Sequence, residues 1–546
     1  MSNTQEPRPK RFGAVVIGAG FAGMHMLHRL RQLGLTARVF EAGAGVGGTW
    51  YWNSYPGARC DVESMQYSYS FDEQLQQEWH WTERYPRQEE ILRYVNHVAE
   101  RFDLLKDIQL NSRVTSARYD EAQALWTVGT DSGDVVQARF LISAAGCLSA
   151  GRVPDILGLE SFKGEWHHTG QWPKREVNFS GKRVAVIGTG SSGIQTIPAV
   201  AQQAKALTVF QRTPNFSIPA WNKALPEQDQ RKWKKHYAEH RVRARGTRSG
   251  ILYDYSAYAT HQVSPQERQQ EYERRWARGG ANFTHAFNDI YSNKESNDQA
   301  AEFVRKKIRG IVKDPATAAL LAPTDHAIGT KRICVDSGYY ETFNLPHVAL
   351  VDLRSTPIQA ITPDGIQTSA KHIDLDCIIF ATGYDAVTGP LNRIDIRGLG
   401  GRRLLDKWAH GPRCYLGLMT AGFPNMFIIT GPGSPSVLTN VVVAIEQHVE
   451  LITRFLGHMR DQGAIVAEPA QKAEDDWVAH VNEVASKTLF PTTNSWYTGA
   501  NIPGKPRVFL PYIGGFQVYS AICEEVVADG YRGFKFKSGA DMPLAA

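Results

Sequence analysis

Cysteine is scarce in this 546-residue chain, which has six: Cys60, Cys147, Cys334, Cys377, Cys414 and Cys523. No two stand within three positions of one another, so there is no Cys-x-x-Cys pair for redox exchange and no zinc knuckle. That spacing excludes a disulfide-type reductase, gives no metal site, and points to a reducing, cytoplasmic setting. Long apolar runs are missing too, and nothing approaches the roughly 18 consecutive apolar residues of a membrane span. Neither charge dominates: 61 basic against 55 acidic residues leave a net charge of +6. Spread over this length, that excess gives no argument for nucleic acid. Lys10 and Arg11 precede the apolar stretch 14–24, but glycines at nucleotide-loop spacing and the lack of a cleavage site speak against a signal peptide. What remains is an ordinary globular composition, 42% apolar and 21% charged. The length suits about two to four domains.

A repeat carries the information. Residues 14–17 read as a short buried strand, followed by Gly18-Ala19-Gly20-Phe21-Ala22-Gly23 and a helical pattern through Leu33. Residues 184–187 read as a second strand, followed by Gly188-Thr189-Gly190-Ser191-Ser192-Gly193 and another helix, which carries Gln195. Glycines at this spacing let the backbone turn sharply, let a pyrophosphate approach, and let helix and strand pack closely, with the helix N-terminus facing the phosphates. One such loop occurs without any ligand often enough; two, each between strand and helix, predict two dinucleotide sites.

The next strand assigns them. Glu41 and Gln211 each stand 23 positions after the first glycine of their unit. A carboxylate there accepts hydrogen bonds from a ribose diol and repels a 2′-phosphate. Gln211 removes that repulsion, and Arg212 and Thr213 follow it; arginine offers a charge-matched fork for phosphate. The first unit therefore suits FAD or NAD, and the second suits NADPH. Both units end on a buried strand and a small-residue turn, at 141–146 and 378–383. The expected architecture is α/β, with two Rossmann-like dinucleotide-binding domains, the second inserted in the first. The FAD part comprises 1–146 and 387–546, and the NADPH part 152–223 and 329–383. Residues 224–328 form a helical insertion whose basic residues, as over Arg231–Arg248, read as a solvated face and which is placed to cover a substrate cavity.

Between the units, Phe162, Gly164, His168, Trp172 and Pro173 fit the pattern FxGxxxHxxxWP. With the two glycine loops and the segments Gly47–Ser64, Gly329–Tyr340, Phe380–Asp385, Gly431–Asn440 and Ser495–Lys505, nearly the whole chain resembles the type I Baeyer–Villiger monooxygenases. It is most similar to their phenylacetone and steroid branch. Flavin N- and S-oxygenating relatives share the pattern, usually with another aromatic residue at the position of Trp172. The resemblance implies FAD, NADPH and O2, a small-molecule ketone of aryl, cyclic or steroid-like kind, and an ester or lactone as product. It implies a flavin C4a-peroxide stabilised by Arg332, a role that suits a cation unable to lose its proton in a dry pocket.

The same resemblance distributes the remaining roles. Asp61 pairs with Arg332; Lys331 joins Arg212 and Thr213 at the NADPH 2′-phosphate; Gly48, Thr49, Trp50, Tyr51, Trp52, Arg59 and Tyr67 belong to the flavin surroundings. Ser54 stands where the family usually has arginine. The helix that begins at Val441 aims its dipole at the flavin, Ser436, Val437 and Leu438 border the substrate, and Trp496 lies on a loop that closes over the nicotinamide cofactor. His168 couples domain movement and stays outside the catalytic set, with hinges expected near 146–152 and 381–386. Two other readings remain open: a flavin monooxygenase acting on amines or sulfides, and a non-catalytic FAD- and NADPH-binding sensor. Oligomeric state is not legible.

Overall fold

The structure, a computed structural model, describes residues 9–539. Ala14, Val15 and Val16 are fully buried, as are Val184, Ala185 and Val186. Continuous apolar runs of this kind suit strands covered on both faces, the condition of a parallel sheet. Each run is the centre of its own sheet.

In the eight-stranded first sheet, Lys10–Ile17 lies between Ala37–Phe40 and Val135–Ser143, parallel to both. Strand Val135–Ser143 also pairs antiparallel with Leu125–Thr130, and its last three residues pair with Met426–Ile428. Asp395–Arg397 joins the far edge beside Val114–Asp120. The chain after residue 387 thus returns to a sheet begun at residue 10. The second sheet is wholly parallel, in the order Val348–Asp352, Ala206–Gln211, Arg183–Ile187, Cys377–Phe380 and Glu165–His168. The fingerprint segment therefore supplies the edge strand of that sheet.

The likeness between the two loops and the two strand ends has one physical cause. Gly18 and Gly188 have φ of 100° and 112°. A Cβ at Gly18 would stand 2.7 Å from the Ala144 carbonyl oxygen, and one at Gly188 would stand 2.4 Å from that of Ala381. Each loop thus packs its first glycine on the small-residue turn that closes its own unit.

Those turns lead into two linkers that run side by side. The Arg152 amide donates to the Gly383 carbonyl at 3.1 Å, Asp385 to Ala150 at 2.9 Å, and Val387 to Cys147 at 2.8 Å. His168 is buried against this ribbon: its ring lies 6.0 Å from that of Tyr384, and a Cβ on Gly151 would meet it at 2.9 Å. Burial holds the imidazole pKa below its ordinary value, against the pull of the Gly383 and Arg152 carbonyls. The loop 495–505 is tied to the same ribbon through Lys505 Nζ on Asp385 (2.6 Å), Asn501 Nδ2 on the Tyr384 carbonyl (2.8 Å) and Arg152 on the Asn501 carbonyl (2.7 Å).

The insertion forms helices Glu227–Lys234, Tyr237–Arg245, Pro265–Arg278, Lys294–Ile311 and Pro315–Leu321. The charge-rich stretch is broken at Lys235 and His236 and is not one helix. Two of its exposed basic residues pair with acids a turn away, Arg231 with Glu227 at 2.6 Å and Lys232 with Asp229 at 3.9 Å. Its apolar face is shared: Tyr272, Trp276, Phe283 and Phe303 pack in one core with Phe216 and Ile218. Among the described residues, no helix is long and apolar enough to cross a membrane.

The units meet where Gly57, at φ 81°, brings its backbone against the helix Ser191–Ala201; a Cβ there would lie 2.3 Å from the Gln195 carbonyl oxygen. Gly57→Ala should destabilise the holoenzyme by about 1–3 kcal/mol. Denaturant unfolding checks this, and an unchanged midpoint would mean that the contact is soft.

Candidate active site

Arg332 and Asp61 meet across the two units. Nε and Nη2 of Arg332 donate to Oδ2 and Oδ1 of Asp61 at 2.7 and 2.8 Å, and Nη1 donates to the Val437 carbonyl at 2.8 Å. The fork-to-fork match fixes the plane of the guanidinium as well as its position. Burial opposes the charge, yet the Asp61 carboxylate more than offsets this and holds the Arg332 pKa well above its ordinary value. The Val437 carbonyl is presented by a strained turn in which Ser436 has φ of 43°, a conformation that costs a non-glycine residue on the order of 1 kcal/mol.

Around this pair lies a ring of neutral groups. The phenols of Tyr253, Tyr291 and Tyr497 feel the Arg332 charge, and burial raises the pKa of each. The Cys60 and Cys334 thiols flank Asp61 and Arg332 and are likewise pushed up by burial, Cys334 to about 12. They stay protonated and are poor nucleophiles. All six cysteines are free and buried. Asp336, in the same segment as Arg332, plays another part: it is buried and accepts from the Gly338 and Tyr339 amides at 3.0 and 3.1 Å and from the Ser217 hydroxyl. It anchors the strand that delivers Arg332.

The first nucleotide loop fits a dinucleotide. Gly20 and Gly48 face each other so closely that a Cβ on Gly20 would be 3.3 Å from the Gly48 Cα, a cradle any side chain would fill. Glu41 is buried and accepts from the Ala19 and Gly43 amides at 2.7 Å each, which leaves further lone pairs for a ribose. Phe21 and Tyr67 pack at 5.6 Å, and Trp50 Nε1 donates to the Tyr67 hydroxyl at 3.1 Å. Thr49 is exposed, and Val441 is half-buried at the start of its helix.

The other expected flavin residues make contacts within the protein. Tyr51 accepts from the Ala44 amide at 3.2 Å and lies under Lys174, whose Nζ is 4.0 Å from the ring centroid. Ser54 is 3.5 Å from the same Lys174, so a cation from the fingerprint segment stands beside the residue that departs from the family pattern. Trp52 receives the Trp172 amide at 3.3 Å on its carbonyl. Arg59 binds Glu83 and the Tyr85 carbonyl, and its own backbone is clasped by Gln195.

The second loop fits a phosphorylated dinucleotide. A Cβ on Gly190 would meet nothing within 4 Å, Ser191 and Ser192 open the helix, and Thr189 Oγ1 donates to the Thr213 carbonyl at 2.9 Å. Gln211 does not face this space: it is fully buried, and its Nε2 donates to the Leu320 carbonyl at 2.8 Å. Arg212 is exposed beside Lys331, and neither forms an ion pair among the described residues. Burial and the Arg212 charge keep the Lys331 pKa below its ordinary value, though Asp325 opposes this. Two adjacent cations, neither held in an ion pair, suit a phosphate.

Residues 15–269 match the pyridine nucleotide-disulphide oxidoreductase family model. A solved steroid monooxygenase bound to NADP superposes with a TM-score of 0.93 at 51% identity, covering 97% of this chain and all of that one. A Baeyer–Villiger monooxygenase of Pseudooceanicola batsensis is 42% identical over 95% of each chain. The chain belongs to the Baeyer–Villiger monooxygenases. Within this monooxygenase the disulphide part of the matched description has no counterpart, because no cysteine pair exists. A phenazine N-monooxygenase of Lysobacter antibioticus is 43% identical over 98% of each chain.

The structure gathers Val437, Leu438 and Trp496 into one apolar cluster with Cys147, Phe490, Tyr497, Phe509 and Ile513, and buried Ser436 opens the short turn that carries Val437 and Leu438. The Trp496 and Tyr497 rings touch in a tilted arrangement, with centroids 4.1 Å apart. Tyr253, Tyr291 and Tyr497 were not legible as site residues: the first two lie in the insertion, which carries no motif, and Tyr497 is hidden behind the more distinctive Trp496. In this monooxygenase Asp61→Asn should keep FAD and its reduction by NADPH but lower product formation about 100-fold. Product yield per NADPH consumed tests this, and an unchanged yield would mean that Arg332 needs no orienting carboxylate.

Proposed function

We propose that this Baeyer–Villiger monooxygenase binds FAD in the first loop and NADPH in the second and converts an aryl, cyclic or steroid-like ketone to an ester or lactone. Overall, ketone, O2, NADPH and H+ give ester, water and NADP+. The bidentate Arg332–Asp61 pair carries the reading. Bound FAD supplies the centre at which electrons from NADPH meet O2. Arg332 holds a fixed positive charge where negative charge grows on the reacting oxygens, and Asp61 keeps that charge in place without reaching the substrate. The neutral tyrosines and thiols around it exclude water without offering a competing nucleophile. Tyr497, Val437 and Leu438 bound the substrate, and Trp496 covers the nicotinamide end. Arg212, Thr213 and Lys331 receive the 2′-phosphate.

The FAD part is assigned to 1–146 and 387–546, and the NADPH part to 152–223 and 329–383, with 224–328 as the insertion between them. His168 and the paired linkers transmit relative movement of these parts. Six unpaired buried cysteines suit a reducing cytoplasm. The 43% identity to a phenazine N-monooxygenase favours one rival, oxygenation of a ring nitrogen. Conversion of amines or heteroaromatic nitrogens without any ester from a ketone panel would support it.

Arg332→Ala should still bind FAD and accept hydride from NADPH, yet lose at least about 100-fold in ester formation. Stopped-flow flavin reduction and product mass separate the two steps, and normal ester formation would sink the mechanism. Arg212→Ala should raise the KM for NADPH about tenfold or more and leave that for NADH nearly unchanged. An equal rise for both nucleotides would put the 2′-phosphate elsewhere.

A further inference from the structure

The apolar cluster beside Arg332 is bracketed by a second arginine. At one end Arg332 reaches the cluster through the Val437 carbonyl at 2.8 Å. At the other, Arg248 reaches it through the Ile513 carbonyl at 3.3 Å, with its guanidinium 5.9 Å from the centroid of Tyr291. Tyr291 packs on the same cluster, and its phenol lies in the field of both guanidiniums. The two cations differ in one respect. Arg332 has the carboxylate of Asp61, whereas half-buried Arg248 forms no ion pair among the described residues. Its neighbours Arg241 and Arg245 are engaged by the Gln66 carbonyl and by Glu450. A half-buried guanidinium without an acid is unusual, because burial of an unpaired charge is costly.

The wall next to Arg248 is polar and uncharged. His285 stacks on Tyr253 at 4.9 Å and lies 4.7 Å from Tyr255 and 6.3 Å from Tyr291. Burial, with Arg248 and Arg275 nearby, pushes its pKa down to about 3, so the ring is a neutral donor and acceptor. The Tyr253 hydroxyl has no hydrogen-bond partner among the described residues. Tyr255, by contrast, is occupied by Ser249 and the Ile251 carbonyl.

We propose that Arg248 receives a carboxylate carried by the substrate, so that the ketones this enzyme prefers are keto acids whose apolar segment spans the cluster from Arg332 to Arg248. His285 and Tyr253 supply further hydrogen bonds at the acidic end. This rests on the monooxygenase reading above and narrows its substrate class.

The test uses FAD-loaded enzyme with NADPH and two methyl-keto acids, 6-oxoheptanoate and 8-oxononanoate, each beside its methyl ester, with cyclohexanone as a neutral reference. For at least one chain length, kcat/KM for the oxygenated product should favour the acid over its ester by tenfold or more, the scale of a charge-assisted hydrogen bond. In Arg248→Gln and Arg248→Ala that acid-to-ester ratio should fall at least tenfold, and Arg248→Lys should restore part of it. Nonanoate, which has no ketone, should inhibit cyclohexanone turnover, and the inhibition should weaken by the same factor in the Gln variant. If a variant does not fold, the wild-type ratio and the nonanoate inhibition still decide. An ester converted as well as its acid at both lengths, or a ratio unmoved by the substitutions while cyclohexanone is still oxygenated, overturns the proposal and leaves the monooxygenase reading intact. No oxygenated product from any ketone would overturn that reading and this one with it.

Discussion

The structure depends on one charge pair that spans half of the chain. Arg332 and Asp61 are 271 positions apart, yet they meet in two parallel hydrogen bonds. Holding a guanidinium in a pocket with little water is unfavourable unless a carboxylate faces it with matched geometry. That requirement explains much of the surrounding architecture. Asp61 needs the loop after the short helix Thr49–Trp52; Arg332 needs the short strand Cys334–Asp336, which Asp336 pins by accepting two backbone amides. Asp61 and Arg332 come from opposite sides of the contact where Gly57 packs on Gln195. The electrostatic centre is therefore also the place where two nucleotide-binding units are held in register.

The rest of the centre is neutral by burial. Thiols at Cys60 and Cys334 and phenols at Tyr253, Tyr291 and Tyr497 all have pKa values raised by desolvation. Beside these five groups, which keep their protons, the guanidinium of Arg332 supplies a positive charge that is fixed over ordinary pH. Oxygen chemistry that builds negative charge in steps is suited to such a field, since no group must reorganise as the charge moves.

Much of the fold was legible because its determinants are local. A glycine triplet between a buried strand and a helix fixes its own geometry, and Glu41 and Gln211 occupy the same place in each repeat because the repeats share that geometry. The closing turns at Ala144 and Ala381 were visible as small residues, for the reason that a glycine carbon rests on each. Gln211 shows the limit of that reasoning. Its position was right, but its side chain turns to the Leu320 carbonyl of the insertion, a contact between segments with no shared pattern. The insertion itself was opaque beyond its helices. Tyr253, His285 and Tyr291 line one wall only because several loops converge, and convergence of distant loops leaves no spacing to read. Arg332 and Asp61 were found through family resemblance, and a Lys-Arg pair before a strand says little by itself.

The pairing of Met426–Ile428 with the end of Val135–Ser143 has a consequence for the order in which the chain can fold. The slot beside residues 141–143 is completed by a strand that is synthesised only after the intervening 144–425 have emerged, 282 residues later. At a synthesis rate of roughly 5–20 residues per second, the first sheet waits about 15–60 seconds with that edge open. During this interval the second unit, whose sheet is closed by residue 380, has all its strands and can complete itself first. An open edge of Leu141, Ile142 and Ser143 is the kind of surface that pairs with other chains. The nested arrangement that brings the two cofactors together thus leaves the nascent chain with a timed vulnerability, which ends when residues 426–428 arrive.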